Sequence, residues 1–200
     1  MKSLSLKSTS ALALALIAGG VVATATPVAA AVQSSPSSTT GKVEFTAGNL
    51  EFGDGTGQTV PSFDFGINAI TTQDETYNTT AEGILAVTDL RGSNAGWKVS
   101  VTQKDQLKAN AGADELTGAV LTLKAGAVTN TNSELPTNND VTLVPGVASE
   151  VLKAEAGKGN GISKLTWGTD KAKLSVPGST TKKAAQYTAT LEWTLSDSPN

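Results

Sequence analysis

Short apolar alternations, broken every few residues by Gly, Asn, Asp or Pro, run from about Lys42 to the end of the chain. A period of two sends successive side chains to opposite faces of an extended backbone, so the pattern predicts strands and little helix. The clearest case is residues 187–195, where Tyr187, Ala189, Leu191, Trp193 and Leu195 alternate with Thr188, Thr190, Glu192 and Thr194. One face of that strand is apolar throughout and the other polar throughout. A second strand sets Trp97, Val99 and Val101 against Lys98, Ser100 and Thr102, and the two apolar faces are expected to share a core. Weaker alternations predict strands at 43–46, 84–88, 119–123, 141–144, 150–153 and 173–176, the last stopped by the turn pair Pro177-Gly178. Residues 105–116 have room for one or two helical turns, with Gly112 opposing more. An apolar-acid-Phe-Gly pattern occurs twice, as Leu50-Glu51-Phe52-Gly53 and Phe63-Asp64-Phe65-Gly66, and reads as two neighbouring strands ending in tight turns. The series predicts an all-β fold, an Ig-like, Greek-key β-sandwich with long Gly/Asn-rich loops at its ends.

The start of the chain follows another rule. Lys2 and Lys7 precede an apolar run over residues 11–22, and small residues follow, which is the order of a secretory signal peptide. We expect the leader to occupy 1–31, with cleavage after Ala30 or Ala31, because Val28/Ala30 and Ala29/Ala31 both present small residues to a peptidase. The apolar run is shorter than the ~20 residues of a spanning helix. Residues 32–41 contain the Ser/Thr/Pro-rich stretch QSSPSSTT and read as a flexible linker, so the domain is expected at 42–200.

Composition narrows the chemistry. Removing Lys2 and Lys7 from 15 basic residues leaves 13 against 18 acidic ones, a net charge of −5. A mildly acidic surface lacks the clustered cations that a phosphate backbone requires, so nucleic acid is not an expected partner. The chain has no Cys, which removes disulfides from an exported fold and also removes the lipid-bearing cysteine of a lipoprotein. It has no His either, and with it go the commonest general base and the commonest metal ligand. No cofactor or metal site is expected. Any two of 18 carboxylates could stand at glycosidase spacing, but nothing singles out a pair, so the reading is of a binding protein and not an enzyme.

The final segment, from Tyr187 through Trp193-Thr194-Leu195 to Asp197 and Pro199, resembles the C-terminal signature of the WxL family of Gram-positive cell-wall surface proteins. Upstream, Asp89-Leu90-Arg91-Gly92 followed by Gly96-Trp97-Lys98-Val99 resembles the family's first tryptophan motif. Phe63 to Gly66, Leu116 to Ala119, Val144-Pro145-Gly146 and Leu174 to Gly178 support it in the same order. One departure is Val99, which stands where the family has Leu. The resemblance implies non-covalent attachment to peptidoglycan, with Trp97, Val99, Trp193 and Leu195 as the wall-binding motifs. It also implies partnership with WxL-interacting membrane-anchored proteins and other WxL proteins, a cell-surface location, and a complex able to meet host or extracellular-matrix ligands. By elimination, the nearest match to a covalent sorting signal, Leu135-Pro136-Thr137-Asn138, lacks its Thr-Gly and lies mid-chain.

Each candidate residue has two readings. Trp97 and Trp193 either stack on sugar rings or fill the core, and their apolar same-face neighbours favour the core. Trp167, between Ile162 and Gly168 in a loop-like setting, is a candidate for ligand contact. Asp89 and Arg91 could recognise a peptide-stem amine or carboxylate, or simply fix their own turn. The Gly53-Asp54-Gly55-Thr56-Gly57 run lacks the ligand pattern of a calcium or phosphate loop and reads as a mobile turn. Two other functions fit the same sequence: a structural subunit of a surface layer or fibre joined by edge strands, and a carbohydrate-binding adhesin for host glycans.

Overall fold

The computed structural model describes residues 38–57, 60–110, 114–132 and 134–197, so the expected leader and most of the linker lie outside the described residues. Residues 44–200 form one compact unit. Among the described residues all pairings are antiparallel, in three four-stranded sheets and a short two-stranded one.

In the first sheet, β3 (Gly83–Asp89) and β11 (Gly161–Trp167) pair at the centre, flanked by β1 (Leu50–Phe52) and β7 (Ala127–Asn130). In the second, β4 (Trp97–Gln103) and β10 (Ala148–Ala154) are central, flanked by β14 (Leu191–Ser196) and β8 (Thr137–Asn138). The third runs β2 (Glu75–Asn78), β12 (Ala172–Val176), β6 (Val120–Leu123), β9 (Val141–Thr142), and β13 (Tyr187–Thr188) pairs with β5 (Lys108–Ala109). The chain changes sheet between β3 and β4 and again between β10 and β11, as expected of a sandwich whose layers are built from non-consecutive strands. One core joins all three larger sheets through Leu85 and Leu165, Trp97 and Leu152, and Leu121 and Leu123. A smaller cluster gathers Leu107, Leu116, Ala119, Leu174 and Val176.

The all-β expectation holds, and six predicted strands match: β3, β4, β6, β9, β10 and β12. Others need correction. The predicted strand at 187–195 is two, β13 and β14, because Tyr187 and Ala189 pack on the smaller cluster while Leu191, Trp193 and Leu195 pack on the main core. Its apolar side chains are half-buried rather than fully buried, since β14 ends its sheet. Residues 43–46 form no strand, and Val43 and Phe45 lie exposed. No helix occupies the described part of 105–116; Lys108 instead bridges Glu115 in a β-type pair. Of the echoed pair only Leu50–Phe52 is a strand. Phe63 to Gly66 forms no strand: the Asp64 carbonyl accepts the Thr80 N–H at 2.7 Å, and the Asp64 side chain accepts the Gly66 N–H at 2.8 Å.

Candidate functional site

The two tryptophan strands lie side by side. In the β4/β14 register Trp193 faces Val101 and Leu195 faces Val99, while across β4 Leu152 faces Val99 from β10. Facing residues share a side of the sheet, so one tryptophan motif packs beside the other and both turn inward. Trp97 is 0% exposed and its indole N–H donates to the Gly159 carbonyl at 3.2 Å. That contact needs glycine: Gly159 has φ 72°, and a Cβ there would lie 2.7 Å from the Trp97 Nε1. Trp97 and Val99 are therefore core residues. Trp193 is half-buried, 6.0 Å from the Trp167 ring, and Phe63 also meets Trp167, edge-on at 5.9 Å.

Trp167 departs from its expected setting. It ends β11, an alternating buried/half-buried strand, and is 1% exposed, so its ring has no free face for a ligand. Its Nε1 is buried with no hydrogen-bond partner among the described residues. The strand was hidden from pattern reading because Ser163 occupies a fully buried position and Ile162 an outward one. Asn130 resolves the anomaly by donating to the Ser163 hydroxyl at 2.8 Å.

Asp89 and Arg91 are brought together as a turn clamp. The guanidinium donates to both carboxylate oxygens of Asp89, at 3.0 and 2.8 Å, and reaches on to the Gly96 carbonyl at 2.9 Å. The fork thus holds the backbone immediately before Trp97. Gly96 has φ 79°, and a Cβ there would collide with the Ala154 carbonyl, so only glycine fits. Burial works against ionisation of Asp89, but hydrogen bonds from the Arg91 guanidinium and backbone outweigh it and hold the carboxyl below its ordinary range. The Arg91 guanidinium is held more firmly charged, chiefly by its bonds to Asp89.

The loop at 53–57 is tied down rather than free. Asp54 accepts from the Thr56 N–H at 2.8 Å and hydroxyl at 2.7 Å, and pairs with Lys164 of β11 at 2.7 Å. Lys164, followed by Thr56, depresses the Asp54 carboxyl well below its usual range. Its oxygens are committed to the fold.

The sequence profile of the WxL domain, described as a surface cell wall-binding domain, matches residues 27–199. The chain belongs to the WxL domain family. No curated protein matches it. The matched span begins inside the expected leader, before Ala30 and Ala31. In this WxL domain the signature tryptophans pack inward, and what their strands show to solvent is the polar half of each alternation. The register aligns Ser196, Lys98 and Lys153 in one row, Thr194, Ser100 and Glu150 in the next, and Glu192 and Thr102 in a third. Of these, Thr194 and Glu192 on the edge strand are exposed, and the others are half-exposed. Their signal was visible in the sequence as the polar partner of the tryptophan pattern, but polarity alone does not separate a binding face from a solvated one. Beside this face a shallow open cleft runs between β1 and β14, lined by apolar Leu50, Phe52 and Leu195 and by polar Glu51, Arg91, Ser196 and Asp197.

Proposed function

We propose that this WxL domain is exported and holds to the cell wall by non-covalent binding of peptidoglycan, and that the outward face of β14, β4 and β10 makes the contact. The carrying observation is the antiparallel pairing of the two tryptophan motifs, Leu195 opposite Val99, which buries Trp97 and orders Lys98, Ser100, Thr102, Thr194 and Ser196 on the other side. Glycan strands and peptide stems offer hydroxyls, amides, carboxylates and amines. A flat grid of hydroxyls with interspersed Lys and Glu can hydrogen-bond all four without a deep pocket. On this reading the tryptophans serve wall binding by holding two strands in register. WxL-interacting membrane proteins and other WxL proteins are the protein partners that the family resemblance implies.

The test is sedimentation with protein-stripped Gram-positive walls. Wild-type protein is expected in the pellet and to be released by soluble muropeptides. The triple variant Lys98→Ala, Ser100→Ala, Thr194→Ala should stay in the supernatant with its melting temperature unchanged. Wild-type protein that ignores stripped walls would sink the function, and a triple variant that pellets normally would sink the surface assignment.

A further inference from the structure

One stretch of this chain has the pattern of a strand and pairs with no strand among the described residues. Residues 43–47 alternate Val43, Phe45 and Ala47 with Glu44 and Thr46, yet Val43 is 75% and Phe45 88% exposed. An exposed Phe on a β-like segment leaves apolar area in water and backbone polar groups free to exchange solvent for a strand partner. In the structure the segment does not fold back on its own β1. The Gly48 N–H donates to the Leu90 carbonyl at 2.8 Å, and the Leu90 N–H to Asn49 at 2.9 Å, so pairing with the main sheet already begins at Gly48. A two-residue hairpin would consume Thr46 and Ala47 and leave only residues 43–45 to pair.

The same molecule carries a matching vacancy. β1 ends one sheet and β14 ends another, and among the described residues neither has a strand on its outer side. Both strands line one open cleft, to which Leu50, Phe52 and Leu195 contribute the apolar lining. Free edges of this kind accept an added strand, with main-chain bonds supplying affinity and alternate side chains supplying fit. The charges also agree: Lys42 on the segment is opposite in sign to Glu51 and Asp197, which line the cleft.

We propose that residues 43–47 of one molecule add as a strand to the β1/β14 cleft of a second copy, with Phe45 seated among Leu50, Phe52 and Leu195. The segment leaves the fold directly beside β1, so two copies can exchange segments reciprocally and close as a dimer.

Protein purified after export is examined by sedimentation equilibrium. Wild-type protein should dimerise reversibly, Phe45→Asp should raise the dissociation constant at least about tenfold with an unchanged melting temperature, and a peptide of residues 41–47 added in trans should return wild-type protein to monomer. In spectra of the Phe45→Asp chain the same peptide should shift resonances of Leu50, Phe52 and Leu195. Wild-type protein that stays monomeric at millimolar concentration overturns the proposal, as does a Phe45→Asp dimer of undiminished affinity. Peptide binding to a wild-type monomer that never dimerises also overturns it, since the cleft then serves a different protein. Wall sedimentation of the Phe45→Asp chain should be unchanged, which keeps this result separate from the wall-binding assignment.

Discussion

The tryptophans of the signature are core residues first, and that decides how their substitution should be interpreted. Truncating Trp97 to Ala empties the space between Ala154 and Gly159 and should cost about 3–5 kcal/mol, so any loss of wall binding in that variant reports unfolding as well as contact. Trp97→Phe keeps most of the volume and forfeits the bond to Gly159, an expected loss of about 1 kcal/mol in denaturant titration. Val99, where the family has Leu, is fully buried between Leu195 and Leu152. The extra methylene of Val99→Leu should therefore lower stability by about 1–3 kcal/mol and bring no gain in wall binding. A more stable Val99→Leu protein would show that this core has slack the structure does not suggest. Acrylamide should leave Trp97 and Trp167 unquenched and reach Trp193 alone.

At the scale of elements, the Asp89–Arg91–Gly96 clamp is the hinge between two sheets: it fixes the turn that carries the chain from β3 to β4. Arg91→Lys keeps the charge and loses the planar fork, so it should lower the melting temperature nearly as much as Arg91→Ala. Equal stability of Arg91→Lys and wild type would reduce the clamp to a point charge. Sheet position sets the order of backbone opening. β3, β4 and β11 are paired on both sides and should exchange amide protons slowest, whereas β1 and β14, each with a free edge among the described residues, should exchange fastest on their outward N–H groups. Dimerisation through the cleft would add protection at those two strands only.

Across the whole molecule, acid is the condition to which stability should respond. Asp54, Asp89 and Asp140 all titrate below the ordinary value of 3.8: Asp54 chiefly through Lys164, Asp140 through the Ala125 N–H, and Asp89 because Arg91 overcomes the effect of burial. A carboxyl with a depressed native pKa contributes stability above its unfolded pKa and loses it as pH falls through the native one. The melting temperature should therefore hold from about pH 8 to 5, there being no histidine to titrate, and fall steeply below about pH 4. Stabilisation on acidification would contradict these three assignments together. Salt should matter little, because pairs such as Lys104–Glu192 and Lys124–Asp140 are exposed.

Period-two alternation was legible wherever a strand buries one face, and it identified β4, β14 and the all-β class, because burial on one side writes itself into every second residue. The motif residues were legible by the same route and by family resemblance. What alternation could not carry was the identity of neighbours. β11 was missed because a buried Ser163 is tolerated only once Asn130 lies across the sheet to satisfy it, and Trp167 took its place in the core with that strand. Residues 43–46 alternate as well as many true strands do, yet a strand exists only where an edge is within reach, and Gly48 is already committed to Leu90. The sequence by itself determined which faces are apolar and hence the class of fold. Tertiary structure alone decided which strands pair, which tryptophans are sealed, and which polar face is left to solvent, because those outcomes depend on contacts between residues far apart in the chain.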